Sequence, residues 1–495
     1  MTRTIVIFIL FLFHAQANCQ SNSIDSIKQE YQTALKLTGK KFSADFYPNY
    51  ARMYSLPEKL FIKKIDSARL RFNTILDHYK KHLDKNYRQR QQLEIEYYFD
   101  RLLVDYPTNH EIYTGASRDK YKIPKRLISN LKDFNKPELL DNSDFTDYVR
   151  SLLSYQAGIE LKKYSYKGTD NQRLHATWKL IPEYFTNATC KAFWKYHYLY
   201  DHIENNGIKN ITGIYNDFMA NCKDTSYSKQ IRQIYEQDYA GRQGHLVKRY
   251  KSIDSLTLDI HMFLPKEDTT QRKRPTIVFF HGGSWSEGKP DWFFDACADY
   301  AQKGWVACAV EYRTYGRHGT LPFDAVMDAR SAIRWLRQHS DEYGIDNDKI
   351  IASGNSAGGH LALCTALADK WNDKNDNMEF SSIPNALMIN SGVYDLTDIN
   401  TSWIRKDLQN KDLVKEISPI HLIKKGVPPT LIIHGTEDGN VPYASAKKFV
   451  DEMAKAGNTS IKFHPITGAG HFIWFDPKYV PEVSRIRNDF LSHYN

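Results

Sequence analysis

The sequence predicts two structural classes in one chain: an all-α region over residues 23–237, then an α/β region over residues 245–495 whose mostly parallel sheet is covered by helices. Three observations carry this expectation. Apolar residues recur at three- and four-residue steps as far as Gln237. Beyond His245, short and wholly apolar runs alternate with helical segments, the pattern of strands buried on both faces. Finally, 495 residues exceed what a single hydrophobic core usually serves.

Residues 1–17 read as a secretory signal peptide. Arg3 supplies the positive charge, Ile5 to Phe13 is an unbroken apolar run too short to span a bilayer, and Ala15-Gln16-Ala17 is a cleavage pattern. Export to the periplasm or beyond is therefore expected. Cleavage before a lipidated Cys19 is the lesser alternative, because Asn18 is a poor match to the small residue such a signal wants. An exported chain can form disulfides, and Cys190 with Cys222 is the one pairing entertained. Cys308 and Cys364 fall in apolar patterns and read as small core residues. No C-x-x-C occurs, which removes thioredoxin-type redox chemistry and the usual zinc knuckles.

In the helical region, Leu56-Pro57-Glu58 opens one helix with Pro in the first turn. Leu60, Phe61, Ile65, Ala68, Leu70, Phe72, Ile75 and Leu76 form its expected apolar face. Tyr148, Leu152, Leu153, Tyr155 and Ile159 repeat the pattern, as do Phe193, Tyr196, His197, Tyr200 and Ile203. Tyrosines at this spacing are expected to pack between helices rather than to bind sugars. In texture, this Tyr- and Lys-rich stretch resembles the helical region of exported TlpA-like proteins. That resemblance implies an accessory helical domain and no chemistry.

After Gly241 the period changes. His245 to Tyr250 and Leu256 to Leu264 alternate as an antiparallel edge pair, turning at Ser252 to Ser255. Buried strands are expected at Thr276 to Phe280, Val306 to Val310, Ile350 to Ser353, Ala386 to Ile389 and Thr430 to Ile433, with a last one at Ile461 to His464.

The chemistry sits in the turns after these strands. Gly354-Asn355-Ser356-Ala357-Gly358 is a G-x-S-x-G motif between strand and helix, where a tight turn lifts the Ser356 hydroxyl off the sheet edge. His281-Gly282-Gly283-Ser284-Trp285 follows an earlier strand, and its unhindered N–H groups suit an acyl oxyanion. Gly283 and Ser284 are the expected loop donors, with Ala357 giving the N–H after the nucleophile. A serine hydroxyl needs a base, and the base needs an acid to orient it. His471, in Gly468-Ala469-Gly470-His471, is the expected base, and Asp438 of His434-Gly435-Thr436-Glu437-Asp438 the expected acid. Glu437 and Asp395 remain rivals for the acid. Trp285, Trp292, Trp403, Tyr443 and Trp474 all follow strands on the same side. Of these, Trp285, Tyr443 and Trp474 are the expected substrate contacts together with His281, which is also expected to brace its own loop.

From about His245 onward, these motifs resemble the α/β-hydrolase esterases that carry an H-G-G-G/S-W loop. That group includes hormone-sensitive-lipase-like, acetyl-esterase, feruloyl-esterase and acetylxylan-esterase proteins. Trp335-Leu336-Arg337, Tyr343-Gly344-Ile345-Asp346, Ser356-Ala357-Gly358-Gly359-His360 and Ser418-Pro419-Ile420 extend the likeness, while Ser284 stands where many relatives keep a third glycine. The resemblance implies a serine esterase acting on small esters or acylated carbohydrates without a cofactor. The segment His434 to Pro442 also resembles prolyl-oligopeptidase-type peptidases, but those carry a β-propeller where this chain reads as helices. A catalytically inactive binding module ranks last, since every triad position is filled. The net charge of +9 comes without a basic stripe and the histidines are scattered, so neither nucleic acid nor a metal ion is expected as a partner.

Overall fold

The computed structural model describes residues 22–163, 169–266, 272–397 and 411–494. The expected signal peptide, Cys19 and Trp403 lie outside the described residues.

Two compact units result, and their boundary is not where the texture of the sequence changes. One holds the described residues to Tyr106 together with Asp141–Tyr148, and the other holds Pro107–Leu140 and everything from Val149 onward. The first unit is helical. Pro57 stands at the N-cap position of the helix Glu58–Tyr79, one residue before the first turn where the sequence places it, and Phe61, Ile65, Ala68 and Leu76 are the helix's buried face. The expected face is too wide, for Leu60 and Leu70 are 44% and 66% exposed. Phe46, Tyr54, Phe61 and Phe99 are fully buried among one another's neighbouring helices, and Arg69 holds Asp100 at 2.6 Å.

In the second unit, helices precede the sheet. Asn187 caps Ala188–Asn206 by accepting from the N–H groups of Thr189 and Cys190, and Asp224 caps Thr225–Gly241 in the same way. Each such cap contributes about 1 kcal/mol. Tyr196, Leu199 and Ile203 pack with Ile214, Phe218 and Ile231 of the following helices. Phe193, His197 and Tyr200, expected on this face, are only half-buried, because Trp194 and His202 occupy the inner stripe instead. Cys190 and Cys222 are both free, so the entertained disulfide is absent: Cys190 is buried in its helix, and the Cys222 thiol lies against the Asp224 carbonyl.

The eight strands run in the spatial order β1-β2-β4-β3-β5-β6-β7-β8. They are β1 Leu246–Ile253, β2 Leu256–Phe263, β3 Arg274–Phe280, β4 Val306–Val310, β5 Ile345–Asn355, β6 Ala386–Asn390, β7 Thr430–Gly435 and β8 Ile461–Ile466. β1 pairs antiparallel with β2 through a register shift between Arg249 and Lys251, and β2 pairs antiparallel with β4. From β4 to β8 every pairing is parallel.

Alternate residues of the parallel strands feed two cores, as a period of two requires. Val278, Phe280, Val310, Ala352, Ile389 and Ile432 belong to the core that includes the helices Pro322–Gln338 and Ala357–Leu367. Ile277, Phe279, Ala309, Ile351, Met388 and Leu431 belong to the other, with Phe294–Gln302 and Val480–Leu491. Helices on both faces leave the loops at the carboxyl edge of the sheet as the place where polar groups gather.

Candidate active site

Ser356 lies at the tip of β5, between the strand and the helix Ala357–Leu367, with φ 55° and ψ −120°. Few non-glycine residues accept that conformation, which costs on the order of 1–3 kcal/mol and persists only where the surroundings enforce it. Here they do. The Ser356 N–H donates to the Asn390 carbonyl at the end of β6, and the Ser356 carbonyl accepts from His360 in the helix. The turn holds the side chain half-exposed above a buried sheet edge.

The loop after β3 comes up against this turn. A Cβ placed on Gly282 would stand 3.5 Å from the Ser356 Cβ. Gly283 has φ 97°, and Ser284 and Trp285 follow at φ 54° and 56°. The Gly283 carbonyl accepts from Ser286 and Glu287, closing a tight turn. Among the described residues, the N–H groups of Gly283, Ser284 and Ala357 donate to no protein acceptor. Ala357 also opens a helix, whose N-terminal end favours negative charge. The three expected oxyanion donors are thus unengaged.

Beyond β7, Asp438 is buried, and its Oδ2 accepts from His471 Nδ1 at 2.8 Å. Its Oδ1 accepts from the N–H groups of Asn440 and Val441 at 2.9 and 2.8 Å. Burial alone would raise this carboxyl, but hydrogen bonds from His434 and His471 and from the Val441 N–H hold it well below the usual carboxylate range. The loops carrying the pair touch because Gly435 lacks a side chain: a Cβ there would meet the carbonyl oxygens of Ala469 and Gly470 at 2.3 Å. Of the rival carboxylates, Glu437 points into solvent, and Asp395 bonds to the backbone and hydroxyl of Thr397 with His421 nearby. Ser356 and His471 share no hydrogen bond in this structure, a separation that substrate binding commonly closes.

The expected substrate contacts divide. Trp285 does not line a pocket. It is 2% exposed, and its indole N–H donates to His360 Nδ1 at 3.2 Å, because the positive φ turns the ring into the core. His281 is likewise no substrate contact: its Nδ1 donates to the Gly282 carbonyl and its ring stacks on Tyr312, whose hydroxyl donates to the His281 carbonyl. Burial pushes the His281 imidazole down to about 4, so it stays neutral at ordinary pH. Tyr443 is half-buried and stacks on Phe463. Trp474 stands edge-on beside the His471 ring, with Phe472 and Phe475 49% and 63% exposed next to it.

His434, which opens the motif that holds Asp438, carries no role in the sequence pattern. Its ring is fully buried, donating from Nε2 to the Val441 carbonyl at 2.9 Å and lying 3.3 Å from Asp438 Oδ2. A separate cleft lined by Arg272, Lys273, Arg274, Lys303 and Trp305 lies below the opposite edge of the sheet and takes no part in this arrangement.

The family model described as BD-FAE matches residues 258–453. Esterase LipC of Mycobacterium tuberculosis is 26% identical over 227 residues, 42% of this chain and 55% of that protein. Esterase LipQ of the same organism is 29% identical over 216 residues, 40% of this chain and 50% of that protein. The chain spans about half the length of the curated relatives it matches. Among solved structures, a thermophilic esterase of Thermogutta terrifontis is 36% identical, with a TM-score of 0.47 over 51% of this chain and 95% of its own.

Proposed function

Because the C-terminal half of this chain belongs to the α/β-hydrolase esterases, we propose that the protein hydrolyses carboxylic esters through an acyl-enzyme on Ser356. The observation that carries the reading is the Asp438–His471 hydrogen bond, formed by loops that leave the same carboxyl edge of the parallel sheet as a serine held at positive φ with unengaged N–H donors against its turn. In the first half-reaction, Ser356 Oγ attacks the ester carbonyl carbon and its proton passes to His471 Nε2. Negative charge on the carbonyl oxygen is met by the N–H groups of Gly283 or Ser284 and of Ala357. Collapse of the tetrahedral intermediate breaks the bond to the alcohol oxygen, which takes the proton from the imidazolium. Water then repeats the sequence on the acyl-enzyme and frees the acid. Asp438 stays ionised throughout, fixing the Nδ1–H tautomer and balancing the charge on the ring.

The proposed substrates are short acyl esters, among them acetyl or feruloyl groups on carbohydrates, to which the exposed aromatic rings beside His471 are suited. We further propose that the chain is exported, on the strength of Arg3, the apolar run to Phe13 and the cleavage pattern at Ala15 to Ala17. A serine-directed phosphonate should label Ser356 and abolish turnover of short esters, with proline-linked anilides cleaved poorly. Labelling at another serine, or efficient anilide cleavage without ester turnover, would overturn the reading. Mass analysis of secreted protein should find the mature chain beginning just after Ala17.

A further inference from the structure

The strained turn Gly283-Ser284-Trp285 places consecutive residues at positive φ, so something outside it must hold it. Part of the restraint is local, from Trp285 on His360. The remainder comes from the helices that precede the sheet, all within the same compact unit. The Gly288 N–H donates to the Asn205 carbonyl at 2.7 Å, at the end of the helix Ala188–Asn206. One residue on, Lys289 Nζ lies 2.9 Å from Asp238 Oδ2 in the helix Thr225–Gly241. The Asp238 side chain is 1% exposed and is also held by Arg242 Nε at 2.7 Å, while Asp291 receives Lys289 from the other side at 2.8 Å.

The loop's other flank is tied in the same manner. The N–H groups of Tyr315 and Gly316 donate to the carbonyls of Trp285 and Ser286. That segment is in turn fixed by Arg317, which pairs with Asp170, and by Gln172, which donates to the His318 carbonyl. Both flanks of the turn thus end on residues of the helical stretch 169–242.

We propose that Asp238 is a positioning residue for the oxyanion loop, acting through Lys289, and that the helices carrying Asn205 and Asp238 are part of the catalytic apparatus. This rests on the serine-esterase reading. Loss of the Asp238 carboxylate leaves Lys289 with Asp291 alone and loosens the anchor at the C-terminal end of the loop that carries Gly283 and Ser284. The donors then drift from the place where oxyanion charge develops, although Ser356, His471 and Asp438 keep their own contacts. A displacement of about 1 Å there is enough to cost on the order of 10²-fold in rate. Ground-state binding does not depend on the oxyanion, so the effect falls on kcat.

The test compares full-chain Asp238→Ala, Lys289→Met and the double variant with wild type, using a short p-nitrophenyl ester. Each single variant should lower kcat by about 10- to 100-fold with KM within about threefold. The double variant should be no worse than the worse single, the mark of residues that act as one pair. Affinity for a trifluoromethyl ketone, whose adduct with serine carries an oxyanion, should fall in step with kcat. Wild-type turnover with an unchanged kcat in folded Asp238→Ala, or losses that multiply in the double variant, overturns the positioning role. Should Asp238→Ala not fold, Lys289→Met alone decides, because its kcat and ketone affinity must still fall together. Absence of ester turnover and of phosphonate labelling in wild type would instead remove the esterase reading itself.

Discussion

At the scale of single residues, Asp438 holds His471 through Oδ2 while its Oδ1 accepts from the N–H groups of Asn440 and Val441. Asp438, Glu437 and Asp395 all follow apolar strands; the turn that carries Asp438 favours it, but the one-dimensional pattern leaves the other two as rivals. Space separates them at once: Asp438 meets His471, Asp395 is spent on Thr397, and Glu437 faces water. Asp438→Asn should therefore fold normally yet lose about 10⁴ in kcat, since the amide favours the wrong imidazole tautomer. Glu437→Gln and Asp395→Asn should stay within a few-fold of wild type; steady-state kinetics on a short ester, with circular dichroism as the folding check, decides it. Should Asp395→Asn abolish turnover instead, the acid is misassigned. Trp285 shows the opposite failure. The letters H-G-G-S-W read as an aromatic ring at the mouth of a site, but a φ of 56° sends that ring inward, and a backbone angle leaves no trace in composition.

At the scale of elements, the strands were legible and the helical faces less so. A strand buried on both sides is a wholly apolar run, and Val306–Val310 stands where the pattern placed it. A half-exposed helix carries apolar residues on its flank as well, so Leu70 belongs to the period of its helix without belonging to the core. Ion pairs between elements were not legible at all. Arg317 is 3% exposed and lies between Asp170 and Glu311, residues distant from each other in sequence. Removing Asp170 leaves the buried Arg317 with Glu311 alone, so Asp170→Asn should lower unfolding free energy by about 1.5–3 kcal/mol in urea titration, and a loss under about 0.5 kcal/mol would contradict this. Gly435→Ala makes a different test at this scale. Its methyl would press on the carbonyls of Ala469 and Gly470 and push His471 away from Asp438, and kcat should fall by about 10²-fold.

For the molecule as a whole, the sequence marks a break in texture near Gly241, whereas the compact unit holding the sheet already includes the helices from Val149 onward. Texture follows local periodicity, while a unit is defined by which surfaces are buried together, and the second cannot be read from the first. That shared interior sets the response to acid. Burial pushes the imidazoles of His281 and His360 down to about 4, and those of His202 and His261 down to about 3, from 6.5. Below about 6.5 the unfolded chain binds protons that the folded chain refuses, so this stability is whole above that pH and is lost as pH falls toward about 3. Glu311 adds a second window. Burial raises its carboxyl, but Arg317 and Lys209 outweigh that and lower it to about 2 from 4.5, so its share disappears between those values as acid is added. Urea midpoints measured from about pH 7.5 downward should begin to drop near 6.5, and a midpoint flat to about pH 5 would refute the account. The edge strand β1 bears on how such molecules behave when crowded. An outermost strand is a template for recruiting a neighbour's backbone, and β1 shows solvent the apolar side chains of Leu246 and Val247. Its register shift between Arg249 and Lys251 and the basic residues around it spoil that template, so concentrated solutions should resist fibril growth, and straightening the kink by deleting Tyr250 should invite it.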